Sequence, residues 1–292
     1  MINNAALISA LKSLLLENIL VSSFFNQTQQ KFLNDLAKNT GIIKIRQQGR
    51  GFSYQVINIS ALQNYLKKLQ PLDESELKAD LPMRSRNIGL YKNSKQINSE
   101  HTFFYLLLKA VGNEIHWQNN KNQGNISEQT NLQGVSSLMI EIEDNWQSLH
   151  PLFLVENQAL FDYLDWLPAN FNGSVVYYGG HIKQRLLNWL SCKKRASELI
   201  LFADYDGVGL NNFLRLSQAI KNQQSCHFYL MPNWKNKLSI FGNPTIWRNN
   251  QTLFQNSVQG LQEIEALTNE LKNLISLMQT LGKGLEQESI WL

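Results

Sequence analysis

Cysteine is scarce in this chain, and long apolar runs are missing. The 292 residues include only two cysteines, Cys192 and Cys226, which lie far apart and in no paired motif. A disulfide framework and a cysteine-based zinc site are therefore not indicated. No apolar run approaches membrane-spanning length, and the N-terminus lacks the pattern of a secretion signal. These absences predict a soluble protein in a reducing, cytoplasmic setting.

Charge is modest in amount but uneven in distribution. Charged residues make up 17% of the sequence and hydrophobic residues 43%, so a sizeable packed core is expected. Residues 1–60 hold six basic and two acidic residues, which equals the whole net charge of +4. An excess of positive charge in one small module indicates that this module binds an anion.

Residues 1–60 have the pattern of two helices followed by a β-hairpin. Apolar residues at helical spacing predict helices over residues 5–20 and 29–39, the second capped by Asn26 or Thr28. Two β-rich segments then flank glycines in a short polar tip, which is a hairpin signal. The module resembles a winged helix-turn-helix domain, and the alternative is a helix–hairpin module that serves packing. The resemblance implies contacts with double-stranded DNA, for which the basic candidates are Lys44, Arg46 and Arg50.

Residues 61–149 have the pattern of a connector. A short helix is predicted over residues 62–69, and a basic, polar run further along contains Arg84 and Arg86. This run is interpreted either as an arm that contacts DNA phosphates or as a solvated linker. Residues 101–112 are expected to be helical. Residues 117–134, which are rich in Asn, Gln and Gly, are expected to form a long loop.

From about residue 150 the sequence alternates between strand and helix patterns. Strands are expected over residues 151–156, 174–178, 198–204 and 226–231, and a long amphipathic helix over residues 257–281. This alternation implies a small parallel sheet with helices on both faces, as in Rossmann-like α/β domains. The predicted organisation is a module at 1–60, an intermediate region at 61–149 and an α/β domain at 150–292.

Acidic residues follow two of these predicted strands. Glu156 follows one apolar run, and Asp204 and Asp206 follow another. Ligands bind at the carboxyl edge of open α/β sheets, and carboxylates there suit Mg²⁺. A shared metal requires the two strands to be neighbours, because adjacent strands lie about 4.8 Å apart. The alternative is that Glu156 or Asp206 merely caps the helix that follows it.

The segment Asp204-Tyr-Asp206-Gly resembles motifs of two phosphate-handling families. Haloacid-dehalogenase phosphatases need further aspartates downstream, and none follows Asp206. Toprim domains of topoisomerases, primases and related nucleases carry a glutamate after the first strand, a glycine after the second and D-x-D after the third. Glu156, Gly179-Gly180 and the two aspartates occur in that order, so residues 150–292 resemble a Toprim domain.

Together with the terminal Leu285-Glu286-Gln287-Glu288, these features resemble the JetD-like nuclease subunits of Wadjet plasmid-defence systems, which are condensin-like SMC complexes. The resemblance implies a DNA endonuclease that uses Mg²⁺, for which Mn²⁺ can substitute, and that has SMC-type partners. A homodimer without membrane contacts is also expected. The residues implied to bind metal are Glu156, Asp204, Asp206, Glu286 and Glu288, of which the first three are implied to be catalytic.

Two rival hypotheses belong to other classes of protein. One is a DNA-binding structural subunit in which the α/β domain serves only shape and partner binding. The other is a topoisomerase-like subunit, since JetD-like proteins are similar to type VI topoisomerase A subunits. Those enzymes carry a nucleophilic tyrosine in a motif that has no match here, and Tyr54 is expected to serve packing.

Gly207 and Gly209 are expected to leave room for a phosphate backbone.

Overall fold

The polypeptide divides after residue 101 into two units, residues 1–101 and 102–292. The computed structural model describes residues 4–49, 51–96, 103–120, 122–220 and 223–292, so Arg50 lies outside the described residues. The intermediate region expected at 61–149 is split between the two units. A helix at its start contributes Leu62 to the core of the first unit, and later residues form two strands of the sheet in the second.

Helices and a small antiparallel sheet make up the described part of the first unit. The helices are α1 (Asn4–Glu17), α2 (Gln27–Thr40), α3 (Ile59–Leu69) and α4 (Met83–Tyr91). The strands are β1 (Ile19–Val21), β2 (Ile43–Gln48) and β3 (Gly51–Val56), in the order β1-β3-β2. Short 3₁₀ turns lie at Ser22–Phe24 and Glu74–Glu76.

Helix α2 begins and ends at identifiable residues. The Asn26 side chain accepts a hydrogen bond from the Gln29 amide at 2.9 Å, and the Gln29 side chain accepts one from the Asn26 amide at 3.1 Å. These reciprocal bonds form a capping box that satisfies two backbone donors. Gly41 ends the helix in a left-handed conformation with φ of 65°. Of the two predicted caps, Asn26 and Thr28, the structure uses Asn26, and the predicted helix followed by a hairpin is confirmed.

Apolar side chains from the helices and the sheet form the core of the first unit. Leu11, Leu14 and Leu33 are fully buried. Tyr54 on β3 is also fully buried, and its hydroxyl donates to the Asn34 side-chain oxygen at 2.9 Å. Tyr54 therefore serves packing, as expected.

A mixed sheet of six described strands forms the centre of the second unit. In chain order the strands of this unit are β4 (Phe104–Val111), a separate hairpin of β5 (His116–Asn119) and β6 (Asn122–Asn125), then β7 (Ser136–Ile140), β8 (Leu152–Val155), β9 (Gly173–Tyr177), β10 (Leu199–Phe202) and β11 (Cys226–Phe228). The sheet order is β11-β10-β8-β9-β4-β7. Strands β8 to β11 are parallel, whereas β4 and β7 are antiparallel additions. The expectation of a purely parallel sheet is therefore wrong at the β7 side.

Helices flank this sheet, which confirms the α/β class. They are α5 (Ile126–Gln133), α6 (Gln158–Asp162), α7 (Gln184–Cys192), α8 (Gly207–Ile220), α9 (Trp234–Phe241), α10 (Pro244–Glu263) and α11 (Asn269–Leu281). A 3₁₀ helix, Gln287–Trp291, follows α11 near the C-terminus.

The helix expected over residues 101–112 is wrong, because the described part of this segment forms β4. Its side chains alternate between the two faces of the sheet, as in any strand. Leu106 and Leu108 are buried on one face, and Tyr105 and Leu107 are exposed on the other. The continuous apolar run conceals this alternation in the sequence.

The long loop expected over residues 117–134 is also wrong. This polar segment contains part of the β5–β6 hairpin and helix α5. Trp117 is fully buried, its indole donates to the Ser174 hydroxyl at 3.0 Å, and its ring stacks on Trp189. One buried aromatic side chain thus anchors a segment that is otherwise rich in amides and glycine.

The single helix expected over residues 257–281 is two helices, α10 and α11. Glu265 between them adopts a positive φ of 57°, which a helix does not tolerate. The Thr268 side chain then accepts a hydrogen bond from the Leu271 amide at 3.2 Å and starts α11.

Candidate active site

Two neighbouring parallel strands carry acidic residues beyond their carboxyl ends. β8 and β10 pair directly, with Val155 opposite Phe202. Glu156 comes directly after β8, and Asp204 comes two residues after β10. The prediction that these strands are neighbours is confirmed, and both acids lie at the same edge of the sheet.

Glu156 accepts hydrogen bonds from two groups at this edge. The Tyr178 hydroxyl donates to its Oε2 at 3.2 Å, and the Asp204 backbone amide donates to its carboxylate. Burial, and secondarily the charges of Asp206 and Glu288, raise the pKa of Glu156 to about 7 against the lowering effect of these bonds. Glu156 is therefore poised to exchange a proton near neutral pH.

Asp204 has a similar environment. The Gln287 backbone amide donates to its Oδ1 at 2.8 Å. Burial is the largest cause that raises the pKa of Asp204 to about 8, with further increases from the charges of Glu156, Asp206 and Glu288, while the bond from Gln287 lowers it. The two neighbouring carboxyl groups thus resist carrying two negative charges in the absence of a cation.

Asp206 acts as a cap for helix α8. Its Oδ1 accepts from the Gly209 amide at 2.8 Å, and its Oδ2 accepts from the Asn250 side chain at 3.0 Å. Burial raises the pKa of Asp206, whereas bonds from the Gly209 and Val208 amides and the nearby His181 lower it. The helix-cap alternative therefore holds for Asp206, and both of its carboxylate oxygens already have protein donors.

Gly207 and Gly209 permit close packing at the start of α8. A Cβ atom at Gly209 would lie 2.0 Å from the Asp204 carbonyl oxygen, and one at Gly207 would lie 2.5 Å from the Asn250 carbonyl oxygen. The space beside both glycines is filled by the protein's own backbone. The expectation that they leave room for a phosphate backbone is therefore wrong.

The C-terminal segment crosses the same edge of the sheet. Tyr205 and Leu285 form an antiparallel bridge with N···O distances of 2.8 and 3.1 Å. The next residues bring the fully buried Gln287 to the ends of β8 and β10. Its side-chain amide donates to the Phe202 carbonyl, and its Oε1 accepts from the Asn157 amide at 3.0 Å. Gln287 thus cross-links the two strand ends that carry the acids.

The two terminal glutamates differ in their relation to the site. The Glu288 carboxylate accepts a hydrogen bond from the Asn157 side chain, and its charge raises the pKa values of Glu156 and Asp204. Glu286 is exposed and precedes the terminal 3₁₀ helix. Of the expected pair, Glu288 is the one that the fold brings to Glu156 and Asp204.

The sequence reasoning missed the uncharged residues that hold the acids in place. In the sequence, Gln287 lies between two glutamates that were expected to bind metal. Asn250 lies inside a helix, and no sequence pattern marks it as a residue of the site. Tyr178 directly follows β9, so its position at a strand end was the one available signal. Asn212 is fully buried and donates to the Gly180 carbonyl at 2.9 Å, which braces the glycine turn after β9.

Glu156 and Asp204 are a donor pair that suits a divalent cation. Mg²⁺ binds through one or two carboxylates and completes its octahedron with water and substrate phosphate oxygens, and Mn²⁺ takes similar ligands. Burial and, to a smaller extent, the neighbouring negative charges raise both pKa values, and a bound cation would favour the charged carboxylates. Within the described ranges, no three His, Cys, Asp or Glu side chains form a ready-made metal-binding group.

The described basic candidates lie in the first unit. Lys44 and Arg46 alternate along β2, so they share one face of the sheet, and both are exposed. Arg84 is exposed on α4, and the Arg86 guanidinium lies 3.6 Å from the Glu74 carboxylate. Arg84 and Arg86 thus belong to a helix of the first unit.

Comparison with known protein families identifies the family of this chain. Comparison with curated proteins finds no match. Among the helices of the described ranges, none combines the length and apolar character that a membrane crossing requires. A family model described as a domain of unknown function (DUF7281) matches residues 104–291, which includes the whole acidic cluster. Because this match covers well over half of the sequence, the chain belongs to the DUF7281 family.

Proposed function

We propose that this chain is a metal-dependent DNA endonuclease. The observation that carries the proposal is the pair Glu156 and Asp204, which lie at the carboxyl ends of two neighbouring parallel strands with pKa values raised towards neutrality. Paired carboxylates at such an edge suit a divalent cation that acts on a phosphate. The resemblance to Toprim domains and JetD-like nucleases supports metal-dependent cleavage of a phosphodiester and suggests DNA as the substrate.

In this proposal, different residues of the chain bind the metal, accept a proton and orient the acids. A bound Mg²⁺ or Mn²⁺ would polarise the scissile phosphate and lower the pKa of a water molecule. Glu156 and Asp204 would hold the cation, with Glu288 adding negative charge nearby. Where Glu156 is not itself bound to the cation, its raised pKa of about 7 would suit it to accept a proton from water near neutral pH. Tyr178 orients Glu156, and the Gln287 amide orients Asp204.

The first unit would supply the affinity for DNA. Lys44 and Arg46 are exposed on one face of β2, and neither forms an ion pair with an acid in the described part of the chain. Exposed lysine and arginine side chains without an acidic partner are available to contact DNA phosphates, and phosphate contacts dominate the affinity of proteins for DNA. Arg84 is equally exposed, and Arg50 belongs to the same basic module by sequence. The winged-helix resemblance supports this assignment.

The JetD-like resemblance extends the proposal to partners. It suggests that the chain works as the nuclease subunit of a condensin-like SMC complex that acts against plasmid or phage DNA. It also suggests a homodimer as the functional form. These partners rest on the resemblance alone.

A structural, non-catalytic DNA-binding subunit is the second candidate. Each carboxylate oxygen of Asp206 accepts a hydrogen bond within the protein, one from the Gly209 amide and one from the Asn250 side chain, as in a helix cap. This observation favours a domain retained for shape. The topoisomerase-like alternative is weaker, because Tyr54 is fully buried and burial raises the pKa of its hydroxyl, which opposes a nucleophilic role.

Cleavage of supercoiled plasmid by the full-length chain tests the proposal. Nicked or linear product should form with Mg²⁺ or Mn²⁺ and should stop with EDTA. Asp204→Asn and Glu156→Gln should each lower the rate by about a hundredfold or more, while DNA affinity stays nearly unchanged. Asp162→Asn, at an exposed acid of α6, is the matched control and should cleave normally. DNA binding without metal-dependent cleavage would instead support the structural subunit.

A further inference from the structure

Helix α9 carries a lysine that is buried although it is charged. Lys237 is only 8% exposed. Its Nζ donates hydrogen bonds to the Ser289 carbonyl oxygen at 2.9 Å and to the Ile290 carbonyl oxygen at 2.7 Å. None of the ion pairs in the described part of the chain includes Lys237. In that part of the chain, this buried cation is therefore held by backbone carbonyl oxygens.

The burial of Lys237 costs free energy that an apolar side chain would not cost. Transfer of an ammonium group out of water is unfavourable, and burial lowers the pKa of Lys237 for this reason. A carboxylate would offset more of this cost than two neutral carbonyl oxygens do. Packing alone would be served as well by methionine or leucine, since apolar replacements of buried ionic groups are often neutral or stabilising. A role beyond packing is therefore indicated.

The two acceptor carbonyls belong to the terminal 3₁₀ helix, Gln287–Trp291. Amides point towards the start of a helix and carbonyls towards its end, so the two ends attract opposite charges. The Gln287 amide at the start of this helix donates to the Asp204 carboxylate. Lys237 binds carbonyls towards the other end. Because the helix has only five residues, fixing its end also fixes the amide that meets Asp204.

The other side-chain contacts of residues 289–291 are weaker or more exposed. The Ser289 hydroxyl donates to the Met231 sulfur at 3.4 Å, and thioether sulfur is a weak acceptor. The Trp291 indole donates to the Asp165 carboxylate at 3.1 Å, but Trp291 is 40% exposed and Asp165 is exposed as well. Lys237 thus makes the buried, charge-assisted contact with this part of the helix.

We propose that Lys237 is a positioning residue for the cation site, which it serves by anchoring the terminal 3₁₀ helix and so keeping the Gln287 amide on Asp204. Lys237 acts through this helix and touches neither cation nor substrate. When the anchor is lost, Asp204 loses the donor that orients its carboxylate, and cation binding must then order the carboxylate at a cost in affinity. The inference rests on the proposed cation site, so one of its tests is made without any cation.

Amide hydrogen exchange of the full chain in EDTA tests the anchor. Lys237→Met keeps a long side chain but removes the ammonium donors. Exchange in residues 286–291 should become about tenfold faster or more, while exchange in α8 stays unchanged. Lys235→Met, which removes an exposed charge from the same helix, is the matched control and should leave both segments unchanged. Unchanged exchange of residues 286–291 in Lys237→Met overturns the proposal.

The affinity of the same chains for Mn²⁺, measured by calorimetry, separates this inference from the proposed function. Lys237→Met should raise the Mn²⁺ dissociation constant by about tenfold or more, as expected for residues that orient metal ligands. Lys235→Met should leave it unchanged. A wild type that binds Mn²⁺ no better than Lys237→Met does would overturn the positioning role alone. A wild type that binds no Mn²⁺ would refute the proposed cation site, and the positioning role with it.

A measurement on the wild type remains decisive even where Lys237→Met does not fold. The protons of a buried, hydrogen-bonded ammonium group are protected from exchange with water, whereas those of exposed lysines are not. A nitrogen-correlated NMR signal of the Lys237 ammonium, assigned through its side-chain carbons, should therefore be visible at neutral pH. Absence of this signal would contradict the anchoring hydrogen bonds and overturn the proposal.

Discussion

The two aspartates of the D-x-D segment do different work although they are only two residues apart. Asp204 accepts a bond from the Gln287 amide at Oδ1 and has a pKa raised to about 8. Asp206 places one oxygen on the Gly209 amide and the other on Asn250. Asp206 thus fixes the start of α8, whereas Asp204 accepts its hydrogen bond from the C-terminal segment. The proposed metal-binding pair consists of Asp204 and of Glu156 from the neighbouring strand.

The raised pKa values predict how stability depends on pH in the absence of divalent cations. Folding raises the pKa of Glu156 from 4.5 to about 7 and that of Asp204 from 3.8 to about 8. The folded state binds these protons more tightly, so their stabilising contribution is full below pH 4 and is lost as the pH rises through about 7 to 8. The melting temperature in EDTA should therefore fall between about pH 5 and pH 9.

The double variant Glu156→Gln and Asp204→Asn is the control for this titration. Its melting temperature should depend much less on pH over the same range, because the two titrating groups are gone. In the wild type, Mg²⁺ should raise the melting temperature more at high pH than at low pH, since protons compete with the cation for the carboxylates. A melting temperature that rises with pH in EDTA would contradict the assigned environments.

Gln287 is predicted to be the residue that holds the site together. Gln287→Ala would leave the Phe202 carbonyl and the Asn157 amide without the partners that the side chain supplies. The free energy of unfolding, measured in urea, should fall by about 2 kcal/mol or more. Gln279→Ala, at an exposed position of α11, should change it by less than about 0.5 kcal/mol. Equal losses in the free energy of unfolding for the two variants would contradict the role of Gln287 as a cross-link between the strand ends.

At the scale of elements, the parallel strands were predictable and the antiparallel ones were not. β8 and β10 are apolar runs that end in acids, and buried parallel strands have that composition. Their adjacency followed from requiring Glu156 and Asp204 to share a ligand. β4 is an equally apolar run, but its length of eight residues and its lack of visible alternation also fit a buried helix.

Tertiary contacts decided the remaining elements. The β5–β6 hairpin depends on Trp117 packing against Trp189 and bonding Ser174, and neither partner is near it in the sequence. The candidate site also depends on a contact between residues far apart in the sequence, because the Gln287 side chain accepts a hydrogen bond from the Asn157 amide, 130 residues away. Charged residues at strand ends could be read from the sequence, whereas the amides that orient them could not.

Strand β2 carries the prediction for DNA binding. Lys44→Ala and Arg46→Ala should each weaken binding similarly for unrelated DNA sequences, because both side chains would contact phosphates. Each should also reduce the salt dependence of the affinity by a slope of about 1. Lys67→Ala removes an exposed charge from α3 of the same unit and should leave the slope nearly unchanged. Unchanged affinity and slope in the Lys44 and Arg46 variants would remove β2 from the DNA interface.

At the scale of the whole molecule, the family match and the division into units agree. The DUF7281 match spans residues 104–291, and the second unit spans residues 102–292. The acidic cluster lies entirely in this unit, and the basic candidates Lys44, Arg46 and Arg84 lie in the other. We infer that the chemistry belongs to the second unit and that affinity for DNA is added by the first.

The most direct test of this account is a crystal of the full chain soaked in Mn²⁺ and measured for anomalous scattering. The account predicts an anomalous peak in contact with the carboxylates of Glu156 and Asp204, which disappears in Asp204→Asn crystals treated in the same way. A well-ordered acidic cluster without a peak, or a peak that persists in Asp204→Asn, would contradict the claim that these two residues hold the catalytic metal.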